Sequence, residues 1–184
     1  CVKVNADIEV LKTGNVEDFV SMFEGCTNVA AIDVSGFDTS SATNMARMFD
    51  GCKTITELNV SGFDTTGVGS FDSMFAGCSK VSMIDVSGFK TTAATNMAAM
   101  FADCSSVNAF SVDDFNTASV TTMAGMFNGC EKLEILEVSN FDTSSVTTMT
   151  YMFGRYTETV GDKPVYYYNN LCVCYRKKGA QIQT

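Results

Sequence analysis

The sequence predicts an α/β fold: a right-handed solenoid with short parallel strands on its inner face, helices on its outer face and a C-terminal hairpin cap. Three observations predict it. The pair Met-Phe recurs at Met22-Phe23, Met48-Phe49, Met74-Phe75, Met100-Phe101, Met126-Phe127 and Met152-Phe153, each step being 26 residues without insertion. A cysteine follows three residues after the phenylalanine at Cys26, Cys52, Cys78, Cys104 and Cys130. Within each unit the apolar spacing switches from three and four to two, the change from helix to strand periodicity.

One unit carries the local logic. Ala42, Met45, Met48, Phe49, Cys52 and Ile55 fall on one face of a helix over residues 42–55. Asp38-Thr39-Ser40-Ser41 offers N-cap residues before it. Gly25, Gly51, Gly77 and Gly129 stand where a left-handed exit is wanted, and Asp103 tolerates that conformation better than most residues. After the helix the alternation Ile32-Asp33-Val34 or Leu136-Glu137-Val138 reads as a short strand. A second phenylalanine column runs Phe37, Phe63, Phe89, Phe115, Phe141, and a third holds Phe19, Met45, Phe71, Met97, Met123 and Met149. One unit buries too little to offset the entropy of ordering its backbone, so units must stack and share an interior.

The organisation expected is a degenerate N-terminal repeat at 1–15, five to six repeats over 16–156, and a cap at 157–184. In the cap, Pro164-Val165-Tyr166-Tyr167-Tyr168 and Leu171-Cys172-Val173-Cys174-Tyr175 read as a hairpin across Asn169-Asn170. Such a cap would cover an open sheet edge.

Composition narrows the function. The chain has no histidine, which removes the usual general base and imidazole metal ligand. No nucleophile–base pairing stands out, so a non-enzymatic protein without cofactors is expected. A formal charge of −9 disfavours nucleic acid as a partner, and Arg176-Lys177-Lys178 reads as a solvated tail. No run of eighteen apolar residues predicts a transmembrane segment. Beginning at Cys1, the sequence reads as a mature or excised piece.

Several columns compete as sites. The five repeat cysteines occupy translation-equivalent places and point one way, so they read as buried thiols, not as disulfides or metal ligands. Together with Phe37, Phe63, Phe89, Phe115 and Phe141 they form a structural core ladder. A bridge involving Cys1, Cys172 or Cys174 stays open. Stacked strands would align Asp33, Asn59, Asp85, Ser111 and Glu137 in one row, and Ala31, Glu57, Met83, Ala109 and Ile135 in another. Asp33, Glu57, Asn59, Asp85, Ser111 and Glu137 are therefore the inner-face binding candidates, against the alternative of a solvated face without a partner. The threonines Thr39, Thr65, Thr91, Thr117 and Thr143 suit local side-chain-to-backbone bonds in a turn better than ice binding. Asp38, Asp64 and Asp142 form no calcium row, because Lys90 and Asn116 interrupt them.

The stretch Leu136-Glu-Val-Ser-Asn-Phe-Asp-Thr-Ser-Ser-Val-Thr-Thr-Met-Thr-Tyr-Met-Phe153 resembles the repeat of the BspA-like leucine-rich repeat surface proteins, in the variant first catalogued in mycoplasma lipoproteins. The resemblance spans about Asp7 to Phe153. It implies a leucine-rich-repeat-type solenoid, on the cell surface or secreted, used in adhesion, and it offers no catalytic residues. The strand leucine is kept at Leu58 and Leu136 but replaced at Ile32, Ile84 and Phe110. The expected function is a recognition or adhesion module binding a protein or glycan through the inner face. The alternative is a structural subunit of a larger extracellular or surface assembly.

Overall fold

In the computed structural model of the chain, residues 11–160, 163–168 and 172–174 are described, those from 155 onward as backbone only. Cys1, Ile8, Asn169-Asn170 and Arg176-Lys177-Lys178 lie outside the described residues.

The α/β solenoid with outer helices is overturned: among the described residues there is no helix. The segment expected to be helical is a run of overlapping turns. Met48, Asp50 and Cys52 donate their amides to the carbonyls three residues back, of Met45, Arg47 and Phe49, at 3.3, 3.1 and 3.2 Å. The intervening amides of Met45, Arg47, Phe49 and Gly51 turn outward and donate to Ser70, Asp72, Met74 and Ala76 in the next repeat, at 3.0, 2.8, 2.9 and 2.7 Å. An α-helix would spend every one of those amides on its own carbonyls four residues back. Here alternate amides tie neighbouring repeats together instead.

Two left-handed residues per repeat make this zigzag possible. One column holds Ser21, Arg47, Ser73, Ala99, Gly125 and Tyr151, with φ between 51° and 65°. The other holds Gly25, Gly51, Gly77, Asp103 and Gly129. Side chains at the start of the run set it up: Asp18, Asn44 and Asn96 accept from the amides of Val20, Ala46 and Ala98 through Oδ1, at 3.0, 3.0 and 2.9 Å.

The expected inner parallel sheet is likewise absent from the interior repeats. At that position Ala31 and Glu57 form an isolated bridge, and among the described residues only 135–137 make a strand there, β1 (Ile135–Glu137). The other bridges join Asp18, Asn44, Ser70, Asn96, Thr122 and Thr148 in turn, at the mouth of the turn run. The tail pairs differently from the expected hairpin. Strand β2 (Arg155–Val160) pairs antiparallel with β3 (Lys163–Tyr168). Strand β4 (Cys172–Cys174) runs parallel to β1, with Leu136 opposite Val173. It takes the place a further repeat would give to its own strand.

The core runs the length of the stack. Phe23, Phe49, Phe75, Phe101, Phe127 and Phe153 form one file, successive ring centroids lying 5.4, 5.8, 5.7, 5.6 and 6.2 Å apart and nearly parallel. Phe37, Phe63, Phe89, Phe115 and Phe141 are buried beside it. Phe110, standing where other repeats carry leucine or isoleucine, packs between Phe101 and Phe127 at 4.3 and 5.6 Å.

Candidate functional site

Asp33, Glu57, Asn59, Asp85, Ser111 and Glu137 are all exposed. They alternate with buried partners, Ile32 and Val34, Leu58 and Val60, Ile84 and Val86, Phe110 and Val112, Leu136 and Val138. Extended backbone puts successive side chains on opposite sides, which is why this face is polar over an apolar floor.

Four of the six also hold the turn that follows. The amides of Ser35, Ser61, Ser87 and Ser139 donate to Asp33 Oδ1, Asn59 Oδ1, Asp85 Oδ1 and Glu137 Oε1 at 2.9, 3.0, 3.0 and 2.9 Å. The hydroxyls of Ser61 and Ser87 add bonds of 2.8 and 2.7 Å to the same acceptors. The Ser87 hydroxyl and amide hold the Asp85 carboxyl below the usual carboxylate range.

Three candidates converge. Glu57, Asn59 and Asp85, with Ser61, Ser82 and Met83, line a groove of about 450 Å³ across the third and fourth repeats. Asp33, Ser111 and Glu137 do not line it. Met83 is 71 % exposed, an apolar side chain standing between carboxylates. The sequence put Met83 in the same outward row as Glu57; the signal missed was a large apolar residue at a position where its neighbours are polar or small.

The cysteine column divides. Cys52, Cys78, Cys104 and Cys130 are buried thiols outside any disulfide, whereas Cys26 is disulfide-bonded. The reading of five free thiols is corrected at that position. The four thiols donate to the carbonyls of Phe23, Phe49, Phe75 and Phe101 at 3.0, 3.4, 3.1 and 3.1 Å. Burial pushes all four thiols up, Cys52 to about 11 and Cys130 to about 12. A thiol held protonated is a poor nucleophile and a poor metal ligand.

The threonine column does not make the local turn bonds expected of it. Thr39, Thr65, Thr91 and Thr117 are buried and donate to Asp64, Lys90, Asn116 and Asp142 in the next repeat, at 3.0, 3.1, 3.0 and 2.9 Å. The local turn bonds belong instead to Asp38, Asp64 and Asp142, whose carboxyls Ser40, Thr66 and Ser144 hold below the usual range. Among the described residues no three metal-ligating side chains cluster, and no helix is long and apolar enough to cross a membrane.

A repeat stack with a groove on its extended side defines a repeat-containing protein. Two overlapping stretches, residues 1–111 and 69–170, match the family described as "Mycoplasma protein of unknown function, DUF285", and the chain belongs to that family. No curated protein and no solved structure matches it.

Proposed function

We propose that the protein is a non-enzymatic recognition and adhesion module of the BspA-like surface type, at the cell surface or secreted, binding a protein or glycan through the groove at Glu57, Asn59, Met83 and Asp85. The observation that carries this reading is Met83, 71 % exposed at a groove that Glu57, Asn59 and Asp85 also line, with Leu58 in its floor. A thioether beside carboxylates accepts a ligand with an apolar face next to hydroxyls or a cationic amine. Asp85 and Asn59 are held by Ser87 and Ser61 before any ligand arrives. Little side-chain freedom is then lost on binding. The reading uses no cofactor and no catalytic residue.

The test is a screen of immobilised glycans and extracellular matrix proteins with the native chain, Met83→Ser, and the double variant Glu57→Gln/Asp85→Asn. Binding to at least one ligand should weaken tenfold or more in both variants. A ligand bound equally by all three proteins would move the site elsewhere.

A further inference from the structure

The lining of the groove distinguishes between a protein and a glycan as its ligand. Glu57 stands one repeat before Met83 in the same row, and Asn59 one repeat before Asp85. All four are exposed and line the groove. They make a quadrilateral with the two carboxylates on one diagonal and the amide and thioether on the other. Thr56, Leu58, Ser61 and Ser82 complete the lining, so it contains no aromatic ring and no cation. A neutral sugar lays its C–H faces on aromatic rings, and an acidic sugar is repelled by carboxylates. A positively charged ligand is drawn in.

The surrounding face has the same sign. The extended segments 30–36, 56–62, 82–88, 108–114 and 134–140 each carry at least one carboxylate and none carries lysine or arginine. Met83, 71 % exposed beside Glu57 and Asp85, adds an apolar surface to the charge. The ligand that matches both is apolar along its length and charged at its tip, which describes the methylene stem and ammonium of lysine. Asp85 narrows the choice further. The Ser87 amide and hydroxyl both donate to its Oδ1, at 3.0 and 2.7 Å. An arginine fork takes both oxygens of a carboxylate at once. With Oδ1 already accepting two bonds, Asp85 suits the single point charge of an ammonium better.

We infer that the groove receives a lysine side chain of a partner protein, its methylenes lying on the Met83 thioether and its ammonium held between the Glu57 and Asp85 carboxylates. This rests on the proposed role of the groove and names its ligand as a protein with an exposed lysine.

Titration of the native chain with capped Gly-Gly-X-Gly-Gly peptides tests it, X being lysine, arginine, norleucine or Nε-acetyl-lysine. Binding is read from the NMR shifts of the Asn59 and Asp85 backbone amides. The lysine peptide should shift them saturably. Norleucine and acetyl-lysine, which keep a stem and lose the charge, should bind at least tenfold more weakly, and arginine at least threefold. Glu57→Gln and Asp85→Asn should each weaken the lysine peptide at least threefold. Met83→Ser keeps every charge and should also weaken it at least threefold. Undiminished binding to Met83→Ser would mean diffuse charge attraction and overturns the inference. So does an acetyl-lysine or arginine peptide that binds as well as lysine, or a lysine peptide that shifts neither amide. A matrix protein or glycan that needs Met83 and binds equally well after acetylation of any lysines leaves the groove as a binding site and overturns the lysine alone.

Discussion

The Thr65 hydroxyl is bonded to both backbone groups of Lys90, donating to its carbonyl at 3.1 Å and accepting from its amide at 2.7 Å. Thr13 holds Asp38 and Thr91 holds Asn116 in the same way. Each threonine is buried and staples one repeat to the next at a point where no regular sheet does so. Thr65→Val keeps the shape and removes both bonds, leaving a backbone amide and carbonyl unsatisfied. It should destabilise the protein by about 1–3 kcal/mol, while Thr65→Ser should cost less. Urea unfolding measures both, and a valine variant as stable as the parent would mean that the staple contributes nothing.

Gly77 adopts φ +70°, and a Cβ there would lie 3.3 Å from the Gly51 Cα of the preceding repeat. Gly77→Ala should therefore cost about 1–2 kcal/mol from the left-handed backbone, with crowding in addition. Asp103 occupies the equivalent place at φ 56°, so Gly77→Asn should cost less than alanine. Thermal unfolding of the two variants side by side decides the order.

The thiols give a test in alkali. In the folded protein burial raises the Cys52 thiol from 9.0 to about 11. Unfolded, it ionises near its ordinary value. Between about pH 9 and pH 11 the unfolded state therefore holds fewer protons, and stability falls as pH rises through that window. Cys78, Cys104 and Cys130, shifted in the same direction, steepen the decline. At pH 8 a thiol reagent should leave these four cysteines unmodified in the native protein and modify all four in guanidinium. Rapid labelling of any of the four in the native state would contradict their burial.

Asp85 offers a complementary acid-side test. Its carboxyl is lowered by the Ser87 hydroxyl first and the Ser87 amide second. Any stabilisation from this arrangement is present above the carboxyl's unfolded value and is lost as pH falls through the lowered one. Ser87→Ala removes the hydroxyl, so the carboxyl should titrate at higher pH than in the parent. Carbon-detected NMR titration of Asp85 reads the change directly, and identical curves would remove the serine as the cause.

How much of this could be read from the sequence differs by level. The 26-residue period was legible because every repeat repeats its large side chains without insertion. The secondary structure was not. Met45, Met48 and Cys52 are spaced three and four apart, as on a helix, but consecutive turns of three residues produce the same spacing. What separates the two states is where the amides of Phe49 and Gly51 go, which side-chain periodicity does not encode. Arg47, Ala99 and Tyr151, all left-handed, gave no warning; in that column only Gly125 did. The alternating face around Asp85 and Asn59 was visible as an outward row, yet their role in holding the turns through Ser87 and Ser61 needed distances. The disulfide at Cys26 broke a column that pattern alone made uniform.

The rungs of the turn ladder between repeats share one sense, amides pointing toward the C-terminal end. In ordinary sheets such bond dipoles alternate and largely cancel. Here they add, offset in part by fewer reversed rungs such as Gly69 to Thr43 and Thr95 to Gly69. The molecule is therefore electrically polar along its axis, negative at its first repeat and positive at its last, the reverse of an α-helix. Lengthening such a chain by whole repeats would extend that axial moment in proportion.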